Sequence, residues 1–316
     1  MMDFSIGMRA LVISTVALFV IAAGGCNAFQ DSSEDENTHG TPLAAGHAAA
    51  LDLWGGAVPE SAIQHAKDTL HIGYGHTSHG SQITDGMTGL VEFANAGNLG
   101  RAYSTDLFAW SHDGAGGALH LFEGDGYGDG PLDHDAGYYP DWVEETRAFL
   151  DNPTNAAFNI IMWSWCGQLS GYSSTDLHAQ YLYPMSQLEA EYPQVTFVYM
   201  TGHLDGTGET GNLARRNQEI RQFCAAEEKW LFDFAEIESY DPDGAYYLDR
   251  GADDACGYDS DGDGSDDANW AQAWQDTHTE GTDWYSCGSA HSEPLNANMK
   301  AYAAWWLFAR IAGWEE

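Results

Sequence analysis

Strands that alternate with helices predict an α/β fold with a mostly parallel sheet covered on both faces. Three observations carry that reading. Apolar runs at residues 70–74, 158–163 and 195–200 have the length of buried strands. Stretches with helical spacing follow at 83–96, 176–191 and 213–228. The turns directly after the strands, at 75–81, 164–168 and 201–205, concentrate Ser, His, Cys and Gln. In a parallel sheet such turns share one edge, where ligands bind.

The chain opens with a segment outside this fold. Arg9 precedes an apolar run over 10–23 that ends in Ala-Ala-Gly-Gly-Cys at Cys26. A basic start, a short apolar core and small residues make 1–25 a signal peptide. The Cys after the small residues resembles the bacterial lipobox. That resemblance implies cleavage before Cys26, lipid on its sulfur and new amino terminus, and anchoring to the cell envelope at the outer membrane or cell surface. Residues 26–50 are largely polar and acidic and read as a flexible tether. The domain is then 51–316, with an insertion at about 241–287.

Within it, the strand at 70–74 runs through Gly-His-Thr-Ser-His-Gly-Ser into the helix at 83–96. A Gly- and Asp-rich region fills 111–140. A helix over 142–150 follows, with Asp141 as N-cap, and then the strand at 158–163. The helix at 176–191 stops before Pro193. After the strand at 195–200 come Thr-Gly-His-Leu-Asp-Gly, the helix at 213–228 and a strand at 230–234. A long helix over 295–312 closes the chain. No internal repeat is visible.

The chain carries 48 acidic and 11 basic residues, a net charge of −37. Such a surface repels nucleic acid and anionic lipid headgroups, and it suits a salty exterior or divalent cations. Twelve Trp and 16 Tyr serve either a core or a carbohydrate-handling surface. Beyond Cys26, Cys166, Cys224, Cys256 and Cys287 form an even set, which in an exported protein predicts two disulfides. The pairing expected is Cys166–Cys224 with Cys256–Cys287. Oligomeric state is left open.

The strand-end turns supply a reaction class. Ser78 or Ser81 is the candidate nucleophile, since a hydroxyl needs a neighbouring imidazole to take its proton. The alternative role for both serines is capping the helix that follows. The order of landmarks resembles the SGNH/GDSL-type hydrolases, and the resemblance spans residues 68–312. It implies a flavodoxin-like three-layer sandwich and ester cleavage by a Ser–His pair. Ser78 stands at the nucleophile position, Gln168 where an Asn stabilises the oxyanion, and His291 at the catalytic His before the closing helix. The usual Gly-Asp-Ser is Gly-His-Thr-Ser here, and Gly288 occupies the place of the supporting Asp. Asp283, Glu293, Asp205 or a carbonyl are the substitutes for that acid.

His203 lies at a strand end and joins the candidate site. His76, His79, His203 and His291 could instead converge on a transition metal, and Cys166 is a further nucleophile in principle. Asp259, Asp261 and Asp263 alternate as in the first half of a calcium loop, with Gly264 at the turn and Asp267 at the ninth position. Trp270 replaces the Glu of a full EF-hand. A structural Ca2+ stiffening the insertion is therefore expected. Residues 124–130 read as a loop beside the site and not as a phosphate cradle, because their aspartates repel phosphate. Together these features predict an exported, lipid-anchored hydrolase acting on an acyl ester of a carbohydrate or other polymer. A non-catalytic glycan-binding lipoprotein and a histidine–metal hydrolase are the alternatives.

Overall fold

A seven-stranded sheet in the order β1-β7-β6-β5-β2-β4-β3 forms the middle of the protein. The computed structural model describes residues 44–124, 126, 128 and 130–315. The expected signal peptide, Cys26 and the expected tether as far as residue 43 lie outside the described residues. The strands are β1 (Ala44–Ala45), β2 (His71–Gly75), β3 (Trp110–Ser111), β4 (Leu119–Glu123), β5 (Ile160–Trp163), β6 (Thr196–Met200) and β7 (Trp230–Phe232). Each pairing between neighbours is parallel. Successive residues of β5, and all but the first of β6, are buried, so both faces are covered. That is why these strands read as unbroken apolar runs.

Several elements escape the sequence pattern, β4 and α1 among them. β4 sits inside the Gly- and Asp-rich region, where Leu-His-Leu-Phe-Glu alternates too briefly to stand out. The helix α1 (His47–Trp54), with β1 before it, occupies the end of the stretch expected as tether. Its residues Ala49, Ala50 and Leu53 are buried, and small side chains let it pack closely against α10 (Pro294–Ile311). Residues 44–50, expected as tether, therefore belong to the folded domain.

The helices α2 (Glu60–Thr69) and α3 (Ser81–Asn95) also pack against α10. Elsewhere α4 (Asp141–Asp151) packs on the segment expected as one helix over 176–191. That segment is α5 (Ser174–Leu177), a π turn over 178–182 and α6 (Tyr183–Glu191). Pro184 explains the wide turn, since it has no N–H to return to the Gln180 carbonyl. The Trp142 indole donates to that carbonyl at 3.3 Å instead. After β6, α7 (Asn212–Ala226) packs on β6 and β7, and α8 (Phe234–Glu238) follows β7. The insertion adds the antiparallel pair β8 (Gly257–Tyr258) and β9 (Ala268–Asn269), then α9 (Trp270–Thr277). Cys256, Trp270, Ala271, Trp274 and Leu295 give it a small core of its own.

The expected disulfides are corrected by the positions of the thiols: Cys166, Cys224, Cys256 and Cys287 are all free. Cys166 faces the carboxyl edge of the sheet, whereas Cys224 is buried within α7. Cys256 Sγ lies 3.3 Å from Ser292 Oγ, and Cys287 Sγ contacts Asn298 and the Pro294 carbonyl.

Residues 295–310 of α10 are buried all round, as befits a helix at the centre of a layer. Two basic residues are buried with them, Lys300 and Arg310. Lys300 is fully buried, and its Nζ donates to Glu238 Oε1 at 2.7 Å and to Gln82 Oε1, and stands 3.9 Å over the Phe234 ring. Removing one partner of such a pair strands the other charge, which costs about 3–5 kcal/mol. Lys300→Met should therefore lower the unfolding free energy by about 3–5 kcal/mol in urea titration. A loss below about 1 kcal/mol would show that the pair is not a structural keystone.

Candidate active site

The site is assembled at the carboxyl edge, across the gap between β2 and β5. These strands are neighbours, with Gly75 opposite Trp163. Gly75 has no side chain because the Trp163 ring occupies the space: a Cβ there would lie 2.2 Å from it. Gly80 is equally constrained, since a Cβ would meet His76 Cβ at 2.3 Å and Ser164 Oγ at 2.4 Å. The turn after β2 is thereby pressed against the turn after β5, and Tyr74 OH donates to the Gly80 carbonyl at 3.0 Å.

Ser78 and Ser81, alike in sequence, part company here. Ser81 Oγ donates to the Ser78 carbonyl at 2.9 Å and to Asp85 at 3.2 Å, so it closes the start of α3. Ser78 is exposed, and its Oγ lies 3.0 Å from His291 Nε2. His291 holds a left-handed backbone, φ 63°, a conformation that a non-glycine residue adopts at a cost and that is found at functional sites. Its ring stacks on His79 with centroids 4.6 Å apart. Among the described residues no carboxylate lies on His291 Nδ1. Asp205 accepts from Thr207, and Asp283 accepts from the Thr279 amide. Glu293 precedes α10. The sequence position of the supporting acid, Gly288, is closed to a side chain, because a Cβ there would lie 2.8 Å from the Asp85 carboxylate.

Gln168 does not face Ser78. Its amide donates to Asp135 Oδ2 at 3.3 Å, and the same carboxylate accepts from Thr77 Oγ1 at 2.7 Å and from the Gly137 amide at 2.9 Å. Gln168 thus helps to clamp Thr77, next to the serine, through a fully buried Asp135. The glycine-rich loop does reach the turn: Gly124 N donates to the Tyr74 carbonyl, and Gly126 lies against His76 and Thr77. Residues 125, 127 and 129 lie outside the described residues.

The four histidines do not converge. His76 turns away to Glu123, with Nε2 3.1 Å from its carboxylate. The other three form a stack, with His79 between His203 (centroids 3.8 Å, planes 8° apart) and His291. His79 Nδ1 lies 3.3 Å from Cys166 Sγ, and its Nε2 lies 2.8 Å from Asp254 Oδ2. On His203, Nδ1 lies 2.8 Å from the Leu204 carbonyl, and the buried Nε2 has no hydrogen-bond partner among the described residues. The His203 and His79 rings hold the Cys166 thiol down at about 5, against partial burial. Burial pulls the His79 imidazolium down, but Asp254 and Cys166 outweigh it and raise it to about 9. Asp254 is held below the usual carboxylate range by His79, despite burial.

His79, Cys166 and His203 bring metal-type ligand atoms within 4.8 Å of one another. An imidazole lone pair lies in its ring plane, however, and two nearly parallel planes share no point for an ion. This geometry serves a thiolate better than a metal. Asp259, Asp261 and Asp263 form the other convergent group. They lie in the turn between β8 and β9, while Asp267 instead accepts from the Ser260 amide at 2.9 Å.

Sequence reasoning paired Ser78 with His291 and missed the Cys166–His79–Asp254 chain. The signal for Cys166 was its strand-end position beside Gln168. Asp254 carries none, because it enters from the insertion, 175 residues from His79. No protein-family model, curated protein or solved structure matches the chain.

The thiolate has a direct signature. Alkylation of Cys166 by iodoacetamide should keep its full rate down to about pH 5, the value its neighbours impose, and fall only below it. His79→Gln should move that acid limb up toward the ordinary thiol range of about 8.5. A limb already near about 8.5 in the unaltered protein would refute the thiolate.

Proposed function

We propose that this protein is an SGNH-type serine hydrolase that cleaves carboxylic esters at the carboxyl edge of its sheet. The observation that carries the reading is Ser78 Oγ at 3.0 Å from His291 Nε2, with both groups exposed. The strand order supports it as well. Without the two-residue edges β1 and β3 the sheet runs β7-β6-β5-β2-β4. Counted along the chain that is the 2-1-3-4-5 order of flavodoxin-like three-layer folds, whose switch point lies beside the first strand.

In this reading His291 takes the Ser78 proton as the oxygen attacks the ester carbonyl, then returns it to the leaving alcohol. The backbone N–H groups of Ser78 and His79 have no acceptor among the described residues, which leaves them free to receive the oxyanion. Stacking on His79 and the left-handed backbone orient the His291 ring, a task that a carboxylate performs in a triad.

The surroundings support a substrate class. Tyr138 and Tyr139 are 46% and 44% exposed just beyond Gly137, which touches Gln168. Flat exposed rings suit sugar faces, and a surface of charge −37 disfavours anionic polymers. An acyl ester of a neutral carbohydrate is the reading they support. The same tyrosines favour the alternative of a non-catalytic glycan-binding protein. For location, the leader and Cys26 support export and lipid anchoring, and among the described residues no helix is long and apolar enough to cross a membrane.

A fluorophosphonate should label the folded protein, lose labelling in Ser78→Ala and keep it in Ser81→Ala. His291→Gln should slow labelling by about 10²–10⁴-fold, the usual worth of a general base. Glycan binding that persists in Ser78→Ala, with no labelling of the wild type, would favour the non-catalytic reading.

We also read the β8–β9 turn as a structural Ca2+ site, since Asp259, Asp261 and Asp263 offer hard oxygens of the kind that cation takes. Chelator should lower the melting temperature of the wild type and leave Asp261→Asn/Asp263→Asn unmoved. An unchanged wild-type melting temperature would count against the ion.

A further inference from the structure

We propose that Cys166 is a second nucleophile of the same cleft, with His79 as its acid–base partner and Asp254 as the group that orients His79. It would take an acyl group from a carboxylic ester as a thioester. The identity of the electrophile rests on the acyl-transfer reading of the cleft; the nucleophile and its partners stand on their own geometry.

Three relations carry the assignment. Cys166 follows β5, the strand beside β2, so its sulfur shares the edge and the gap that receive Ser78. The sulfur, His79 and Asp254 form one continuous chain of 3.3 Å and 2.8 Å contacts, and the acid terminates on the far nitrogen of the ring. That is the order of nucleophile, base and orienting group that activates a thiol. Third, Cys166 is only half-buried, so an electrophile can reach it.

The remaining thiols provide an internal contrast. Burial pushes the Cys224, Cys256 and Cys287 thiols up, to about 12 for Cys256 and Cys287. Cys166 alone among them is drawn the other way. The buried His203, whose Nε2 has no hydrogen-bond partner among the described residues, brings a ring nitrogen within 4.8 Å of that sulfur and completes the pocket. A metal ion on the same three residues is disfavoured by the 8° angle between the His79 and His203 planes.

The chemistry balances without an outside reagent. The thiolate forms a C–S bond to the ester carbonyl, and the resulting oxyanion collapses with loss of the C–O bond. The leaving alkoxide takes the proton from the His79 imidazolium. Water then attacks the thioester while neutral His79 accepts its proton. The carboxylic acid leaves, and the thiolate–imidazolium pair is restored.

The test uses the full chain and p-nitrophenyl acetate, with the acetyl group located by peptide mass. Ser78→Ala should carry acetyl on Cys166. Cys166→Ala should lose that adduct. Cys166→Ser, matched to wild type in melting temperature, guards against misfolding and should also lose thioester. Asp254→Asn should keep the adduct but slow its formation at least about tenfold and move its pH profile upward. Absence of acetyl from Cys166 in folded Ser78→Ala would overturn the proposal. So would binding of one Zn2+ by the wild type that Cys166→Ala abolishes. Acetyl on Cys166 with no fluorophosphonate labelling of Ser78 would sink the serine reading alone.

Discussion

The buried Lys300–Glu238 pair is the constraint on which the site depends. Lys300 lies on α10, Gln82 on the first turn of α3 and Glu238 at the end of α8. From this one junction three site segments are held. Gln82 Oε1 accepts from Lys300, and its amide donates to the Ala290 carbonyl, beside His291. Glu238 Oε2 accepts from the Leu204 amide, beside His203, at 2.8 Å. Asn296 links Glu238 to Ser292 Oγ, one residue beyond His291. A buried charge pair is a poor source of net stability. Its use here is positional: Gln82, Lys300, Glu238 and the Leu204 amide fix one another through hydrogen bonds, and the loops above inherit that geometry.

Much of the fold was legible because buried parallel strands declare themselves by composition. β2, β5 and β6 were found within two residues, and α10 within one. Missed elements had local reasons. β4 is flanked by glycine and aspartate, and its partners supply the burial that its sequence does not advertise. α1 is rich in alanine, which looks like linker until α10 lies over it. Pro184 broke an expected helix into three pieces without ending it, since the Trp142 indole took over the stranded carbonyl.

At the site, the pair that could be read was the pair written near landmarks. Ser78 follows a strand and His291 precedes a helix. The chain through Cys166 was hidden by a sound rule applied to the wrong residue, because an even number of exported cysteines ordinarily means disulfides. What decides otherwise is spatial: His79 and His203 meet the sulfur at the sheet edge. Gly288 is instructive in the same way. Its missing carboxylate looked like a defect in a triad, but Asp85 fills that space, and a second carboxylate there would face the first.

The absent acid of one proposed nucleophile and the late-arriving acid of the other are connected through the ring stack. Asp254 and Cys166 fix His79 at both nitrogens, so its plane cannot turn. His291 lies on that plane, tilted by 22°, and takes its orientation from a neighbour that is itself oriented by a carboxylate. Asp254 therefore orients His79 through a hydrogen bond and His291 through a stacked face. The insertion gains a purpose from this. Asp253 accepts from the Ala255 and Gly257 amides, and Asn269 of β9 donates to the Ala255 carbonyl. The β8–β9 hairpin thus braces the turn that carries Asp254. A segment that reads as an acidic appendage is the support for the group that orders the His79 and His291 rings.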